Sequence, residues 1–174
     1  GSNAVGYLDT RSGKIRVVRM PESGSRPYGI ALDSRGRPWF DEFGANRIGT
    51  IDPVTFELRE YPLPDPGARP RRITITPHDR VFVGDYARGK LVAFDPATGS
   101  PKWQWTGDGP SYGSPIVAEL GGVRQIVTFT LDNLVGVSAE TGEQLWIRPF
   151  KAPSQVNAGT PIVFRDMVIV SGQD

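Results

Sequence analysis

The chain has no cysteine, which excludes disulfide bridges, thiolate metal sites and a cysteine nucleophile. It has a single histidine, His78, so a zinc site or a histidine-based triad would have to be built around that one residue. No apolar run approaches the roughly 18 residues that a membrane-spanning helix needs. An excess of either charge is missing too. Twenty Lys and Arg stand against nineteen Asp and Glu, a formal net charge of +1. That balance gives no reason to expect nucleic acid or an anionic membrane as a partner. No signal peptide is visible, and both cytoplasmic and extracytoplasmic locations stay open for a soluble protein. Residues 1–4, Gly1-Ser2-Asn3-Ala4, read as a cloning remnant, leaving residues 5–174 as one domain.

What is abundant is punctuation. Glycine (21) and proline (16) recur at regular intervals, which marks turns between short strands rather than disorder. The intervals come from an internal repeat. Arg26-Pro27-Tyr28-Gly29-Ile30 returns as Arg69-Pro70-Arg71-Arg72-Ile73, Trp39-Phe40 as Phe82-Val83, and Asp52-Pro53 as Asp95-Pro96, all at one offset of 43. Backward, Gly6, Leu8 and Asp9 match Gly49, Ile51 and Asp52. Forward, Thr98-Gly99 matches Thr141-Gly142, and Trp103 matches Trp146. In the last copy, Ser114-Pro115-Ile116-Val117 meets Thr160-Pro161-Ile162-Val163 at an offset of 46, so one loop is slightly longer.

Each copy reads as four short strands. In the clearest one they are Tyr28–Asp33, Pro38–Phe43, Arg47–Asp52 and Leu58–Leu63, with Ser34-Arg35-Gly36 and Gly44-Ala45-Asn46 in turns that tolerate positive φ. Four strands in a repeat of about 40–50 residues is the pattern of a propeller blade. The expected fold class is therefore all-β: a β-propeller of four-stranded antiparallel blades, about four per chain. The chain starts in the third strand of one unit and ends after the second strand of another. One blade is therefore expected to be shared between the N- and C-terminal strands, which would remove exposed sheet edges. Three closures fit: a four-bladed ring from one chain, a homodimer completing an eight-bladed ring, or a piece of a longer propeller.

The N-terminal part, about 5–99, resembles the streptogramin (virginiamycin B) lyase family through R-P-Y-G-I-A-L-D-S-R-G-R-P-W-F-D-E-F-G-A-N-R-I-G-T-I-D-P (Arg26 to Pro53) and E-Y-P-L-P (Glu60 to Pro64). From Asp95 onward, with blades over about 100–174, the chain resembles pyrroloquinoline-quinone-type propeller repeats. The residues are D-P-A-T-G-S-P-K-W (Asp95 to Trp103), S-A-E-T-G-E-Q-L-W (Ser138 to Trp146), T-P-I-V (Thr160 to Val163) and V-I-V-S-G (Val168 to Gly172). Both resemblances imply a propeller. They imply different functions.

The first implies magnesium-dependent elimination that opens a cyclic depsipeptide, with histidines and a glutamate on the funnel face. Where the family places a histidine after the proline of the innermost strand, this chain has Tyr28 and Arg71, neither a general base near neutral pH. Tyr28 fits the family's substrate-side tyrosine and Glu42 its glutamate. The second resemblance implies that Trp103 and Trp146 dock neighbouring blades rather than touch a cofactor. It also implies a calcium-held quinone, for which Asn133, Asn157 and Asp174 are available without a matching motif. Asp41, Glu42 and Asp85 end second strands and suit turn N–H groups or arginines better than a hard cation. His78 belongs to a rim turn beside Asp79. Within Arg69-Pro70-Arg71-Arg72, Arg71 is the side chain that reaches the funnel.

The favoured reading is a non-catalytic binding or scaffold module, with no catalytic residue, no metal and no cofactor, and with a small molecule or protein bound at the channel mouth. Tyr28, Glu42, Arg71, Tyr112 and Asn157 are the candidate ligand-binding residues. The alternatives are a streptogramin-type lyase, or a fragment of one, and a quinoprotein-like domain.

Overall fold

A computed structural model describes residues 3–87, 89–109, 111–152 and 157–172. It is built entirely of strands and turns among those residues. Three complete antiparallel sheets follow one another. The first is β3 (Pro27–Leu32), β4 (Pro38–Glu42), β5 (Arg47–Ile51) and β6 (Leu58–Pro62). The second is β7 (Pro70–Ile75), β8 (Val81–Asp85), β9 (Lys90–Phe94) and β10 (Pro101–Thr106). The third is β11 (Ile116–Leu120), β12 (Val123–Phe129), β13 (Asn133–Ser138) and β14 (Gln144–Pro149). Half-sheets flank them: β1 (Ala4–Leu8) with β2 (Ile15–Arg19), and β15 (Ile162–Phe164) with β16 (Met167–Ile169). Ala4, assigned to the cloning remnant, lies in β1, and the Asn3 side chain accepts from the Arg26 N–H at 3.1 Å.

The 43-residue spacing is written into one turn, made four times. Asp9, Asp52 and Asp95 each accept two N–H bonds from the residues two and three ahead, and the Ser138 hydroxyl does the same. Such a side chain replaces the backbone partner that the turn lacks. The turn then needs a left-handed residue, supplied by Gly13, Gly99 and Gly142 and, without glycine's freedom, by Phe56 (φ 63).

Blades pack face to face through interlocking side chains. Trp39, Ile48, Val81, Val83, Val92 and Phe94 form the core between the first and second complete blades. Phe82, Leu91, Ile126, Val135 and Val137 fill the next interface, closed by Trp103. Trp103 lies over Gly142 of the following blade, so close that a Cβ added there would sit 2.7 Å from its ring. Tyr61 covers Gly99 in the same way. Trp146 closes the interface to β15 and β16, where Val163, Val168 and Val170 pack, and its indole N–H donates to Gln125. Both tryptophans are thus placed between blades.

The blade expected to be shared by the two ends is not formed within the chain. β1–β2 and β15–β16 are separate two-stranded sheets, not hydrogen-bonded to each other.

Candidate functional site

The inner strands of the two lyase-type blades carry the same irregularity. In β3 the register shifts between Pro27 and Ile30, and in β7 between Pro70 and Arg72. Each shift is a bulge with one extra residue on the inner strand, Tyr28 and Gly29 standing opposite Asp41 in β3 and Arg71 alone being inserted in β7, and a bulge re-aims a side chain. Tyr28 and Arg71 lie in these two bulges and come together. The Arg71 guanidinium donates to the Tyr28 hydroxyl at 3.2 Å. It lies 5.0 Å from the Tyr28 ring centre, 5.0 Å from Tyr86 and 4.1 Å from Tyr112. The Tyr86 and Tyr112 hydroxyls are 2.7 Å apart.

The electrostatics follow from these contacts. Burial opposes the charge of Arg71, but hydrogen bonds to Tyr28 and Tyr112 outweigh it and hold the group above its ordinary range. Tyr86 is raised, first by its bond to Tyr112. Tyr112 is lowered, first by that same bond and then by Arg71. Among the described residues Arg71 forms no ion pair, and its buried Nε has no hydrogen-bond partner. A small, half-open cleft with a cavity volume of about 40 Å³ lies beside the cluster, lined by Arg71, Arg72, Tyr86, Trp105, Ser111 and Thr128 among others.

Of the five sequence-derived candidates, Tyr28, Arg71 and Tyr112 converge. Glu42 and Asn157 do not face the cleft. Asn157 is buried and structural: its amide donates to the carbonyls of Thr130, Leu131 and Phe150. Its own carbonyl accepts from Tyr112 N–H, Gly113 N–H and the Ser111 hydroxyl, so it fixes the loop that presents Tyr112. Glu42 is fully buried and pushed up to about 7, chiefly by burial, with the nearby Glu60 charge adding to the effect and Ser25 and Arg47 opposing it.

Two aromatic residues were missed. Tyr86 joins the cluster directly, and Phe43 lies 6.5 Å from Tyr86 and 6.4 Å from Tyr28. They are one repeat apart, immediately after the second strand, so the signal was an aromatic recurring at an otherwise turn-like position.

The remaining candidates fall elsewhere. Asp41, behind the cluster, accepts from Gly29 N–H at 3.2 Å and is pushed up to about 7 by burial, with Arg72 and Arg71 opposing. Asp85 accepts from the N–H groups of Arg69 and Ala87. These settings do not fit a resident magnesium or a calcium-held quinone: among the described residues no three His, Asp or Glu side chains converge on one point, and Asp174 lies outside the described residues. His78 is exposed on its rim turn, while Asp79 binds the Ser34 N–H and hydroxyl of the neighbouring blade, both at 2.6 Å. Among the described residues no helix is long and apolar enough to cross a membrane.

Comparison with known proteins agrees with this architecture. Residues 1–97 match the virginiamycin B lyase family, and residues 57–174 match the family of the outer membrane protein assembly factor BamB. No curated protein matches by sequence. Among solved structures, selenomethionine-substituted virginiamycin B lyase from Staphylococcus aureus is 22% identical, with a TM-score of 0.70 over 92% of this chain and 53% of that one. BamB from Moraxella catarrhalis is 21% identical, with a TM-score of 0.71 over 99% of this chain and 53% of that one. Kuenenia stuttgartiensis hydrazine synthase, 14% identical, shares the fold at a TM-score of 0.67 over 86% of this chain and 44% of that one. The chain spans about half the length of the first two structures. Each family match covers more than half of the chain and the two overlap, so this propeller chain belongs to the virginiamycin B lyase family through its N-terminal blades and to the BamB family through its C-terminal ones.

Proposed function

We propose that this chain is a non-catalytic binding module whose ligand site is the channel-face cluster of Arg71 with Tyr28, Tyr86 and Tyr112. The observation that carries this reading is a guanidinium held among three tyrosine rings that, among the described residues, forms no ion pair. Such a group offers charge and stacking together, which suits a ligand bearing an anionic group next to a flat or apolar one. The cleft beside it is small and open, and its walls combine strand residues such as Arg72, Leu91 and Thr128 with Ser111, Gly113 and Pro115 of the loop between β10 and β11, so a ligand would lie against the cluster rather than be enclosed. Titration with benzoate or N-acetylphenylalanine, followed by tyrosine fluorescence, should saturate in the wild type and not in Arg71→Ala. A wild-type titration without saturation counts against the site.

Family membership favours a second reading, a lyase opening a cyclic depsipeptide. The chemistry of the available side chains weighs against it. Tyr28 and Arg71 occupy the places of the base, and the one histidine is on the rim. Incubation with a streptogramin B depsipeptide and magnesium, followed chromatographically, should leave the ring closed. Ring opening would replace the binding reading with the lyase one.

A further inference from the structure

Behind the Arg71 cluster lies a carboxyl group that is shut off from the channel. Side chains alternate along β4, so Asp41 shares the face of Trp39 and points into the interface between the first and second complete blades. It is 0% exposed. Its Oδ2 accepts from Gly29 N–H, while its Oδ1 is buried without a hydrogen-bond partner. Gly29 belongs to the bulge that carries Tyr28. A Cβ added there would lie 2.5 Å from Asp41 Oδ2 and 3.2 Å from the Arg71 carbonyl oxygen. Bare glycine backbone is what lets the carboxyl group come this close to the strand that carries Arg71.

The second complete blade is built the other way round. One repeat on, Gly29 and Asp41 become Arg72 and Gly84. The carboxyl group of one blade is therefore met by the arginines of the next. From β7, Arg72 and Arg71 both act on Asp41 and oppose the effect of burial. From β3 it meets Gly29 N–H, with Tyr28 beside it, and from β5 the apolar Ile48 stands opposite. Asp85, at the end of β8, is held by the N–H groups of Arg69 and Ala87. Glu42, next along β4, points to the other face with Phe40. Arg71 in turn keeps a buried Nε without a hydrogen-bond partner. A carboxyl group with one free oxygen and a guanidinium with one free N–H thus stand close together without a settled ion pair.

We propose, on the footing of the ligand site already described, that Asp41 sets the affinity of that site through its own protonation. As the neutral acid it leaves the charge of Arg71 to an anionic ligand. As the carboxylate it competes for that charge from behind. Asp41 does not touch the ligand and acts through Arg71. Burial pushes it up to about 7, which puts the changeover near neutral pH. In an interface with little water, a charge on the far side of the guanidinium still counts against the ligand's own. Proton and ligand then favour each other's binding by the same factor, and an anion at Arg71 draws a proton from solvent onto Asp41.

Benzoate stays ionised between pH 5.5 and 8.5, so a change in its affinity over that range belongs to the protein. In the wild type its dissociation constant, read by tyrosine fluorescence, should rise about tenfold across the range. Asp41→Asn keeps an acceptor for Gly29 N–H and cannot ionise, so its affinity should stay at the low-pH value throughout. Calorimetry at pH 7 in two buffers of different ionisation enthalpy should show proton uptake on binding to the wild type and none with Asp41→Asn. The wild-type proton uptake decides the matter by itself if the variant does not fold. Glu42→Gln and His78→Asn, whose side chains lie elsewhere, should keep the wild-type profile. Saturable binding without pH dependence or proton uptake, the same pH dependence in Asp41→Asn, or a flat profile in Glu42→Gln or His78→Asn would each overturn the proposal and leave the ligand site standing. Failure of benzoate to saturate at any pH would overturn the ligand site and this proposal with it.

Discussion

The guanidinium of Arg71 lies 4.1 Å from the ring centre of Tyr112, although one belongs to the inner strand of the second complete blade and the other to the loop entering the third. The contact crosses a blade boundary. Its geometry is set by Asn157, which belongs to a further blade and holds the Tyr112 loop through its backbone carbonyl. The channel face is thus a set of mutually supporting contacts between successive blades, and each can be tested separately.

Arg71→Lys keeps the charge but loses the planar group that lies against three rings. Stability should fall by less than about 1 kcal/mol, because the side chain is only partly buried. Benzoate binding should weaken several-fold, and Arg71→Ala should abolish it. Parallel urea melts and fluorescence titrations separate the two effects.

Gly142 has φ +77, and an added methyl would meet the Trp103 ring at 2.7 Å; Gly13 has φ +70 at the equivalent turn with open space around it. Gly13→Ala should therefore cost only backbone strain, about 1 kcal/mol. Gly142→Ala adds a clash at the blade interface and should cost about 2–4 kcal/mol. Denaturant midpoints of the two variants measure the difference, and equal losses would show that Trp103 moves aside freely.

Asn157→Ala would leave three carbonyls without their buried donor and release the loop of Tyr112. The expected loss is about 2–3 kcal/mol. Its signature is a weaker ligand titration in a protein that still folds, since Asn157 does not face the cleft. Unchanged binding would mean that the loop is held by Ser111 and its neighbours alone.

Asp41 is pushed up to about 7, chiefly by burial. A carboxyl whose pKa is raised in the folded state binds its proton more tightly there than in the unfolded chain. Its stabilising contribution is complete below the unfolded value of about 4 and is lost as pH rises through about 7. Glu42 acts in the same direction, also raised to about 7. The protein should therefore be more stable at pH 5 than at pH 8. Asp41→Asn can still accept from Gly29 N–H and should flatten that profile, with a gain on the order of 1–3 kcal/mol at pH 8. Melting temperatures across pH 4–9 provide the check, and a wild-type curve that rises with pH contradicts it.

Much of the architecture was legible in the order of residues. A constant spacing, four strands per unit and an Asp or Ser at each outer turn are local matters, and a local rule repeated four times is hard to misread. Strand bounds agreed to within a residue or two because turn residues terminate strands by their own conformational preferences. The docking role of Trp103 and Trp146 came from the resemblance of their segments to quinone-type repeats and not from spacing within this chain; in the structure Trp103 covers Gly142 of the following blade.

The channel face was legible only in part. Repeat position brought Tyr28, Arg71 and Tyr112 forward, yet the same reasoning put Asn157 and Glu42 with them and passed over Tyr86 and Phe43. Which side chain faces the channel depends on the bulges in β3 and β7, and a bulge is a register shift between two strands rather than a property of either alone. Asn157 shows the limit well: its residue type suits a ligand site and a buried tie equally, and only the carbonyls around it decide.

By itself the sequence determined the blade, its spacing and the turns that close it, because these depend on residues close together in the chain. Only the tertiary structure decided that β1–β2 and β15–β16 form two separate sheets, that four aromatic and cationic side chains from three blades converge, and that Asp41 and Glu42 are shut away from water. The physical reason is the same in each case: these are relations between segments distant in the chain, and they exist only once the blades are packed together.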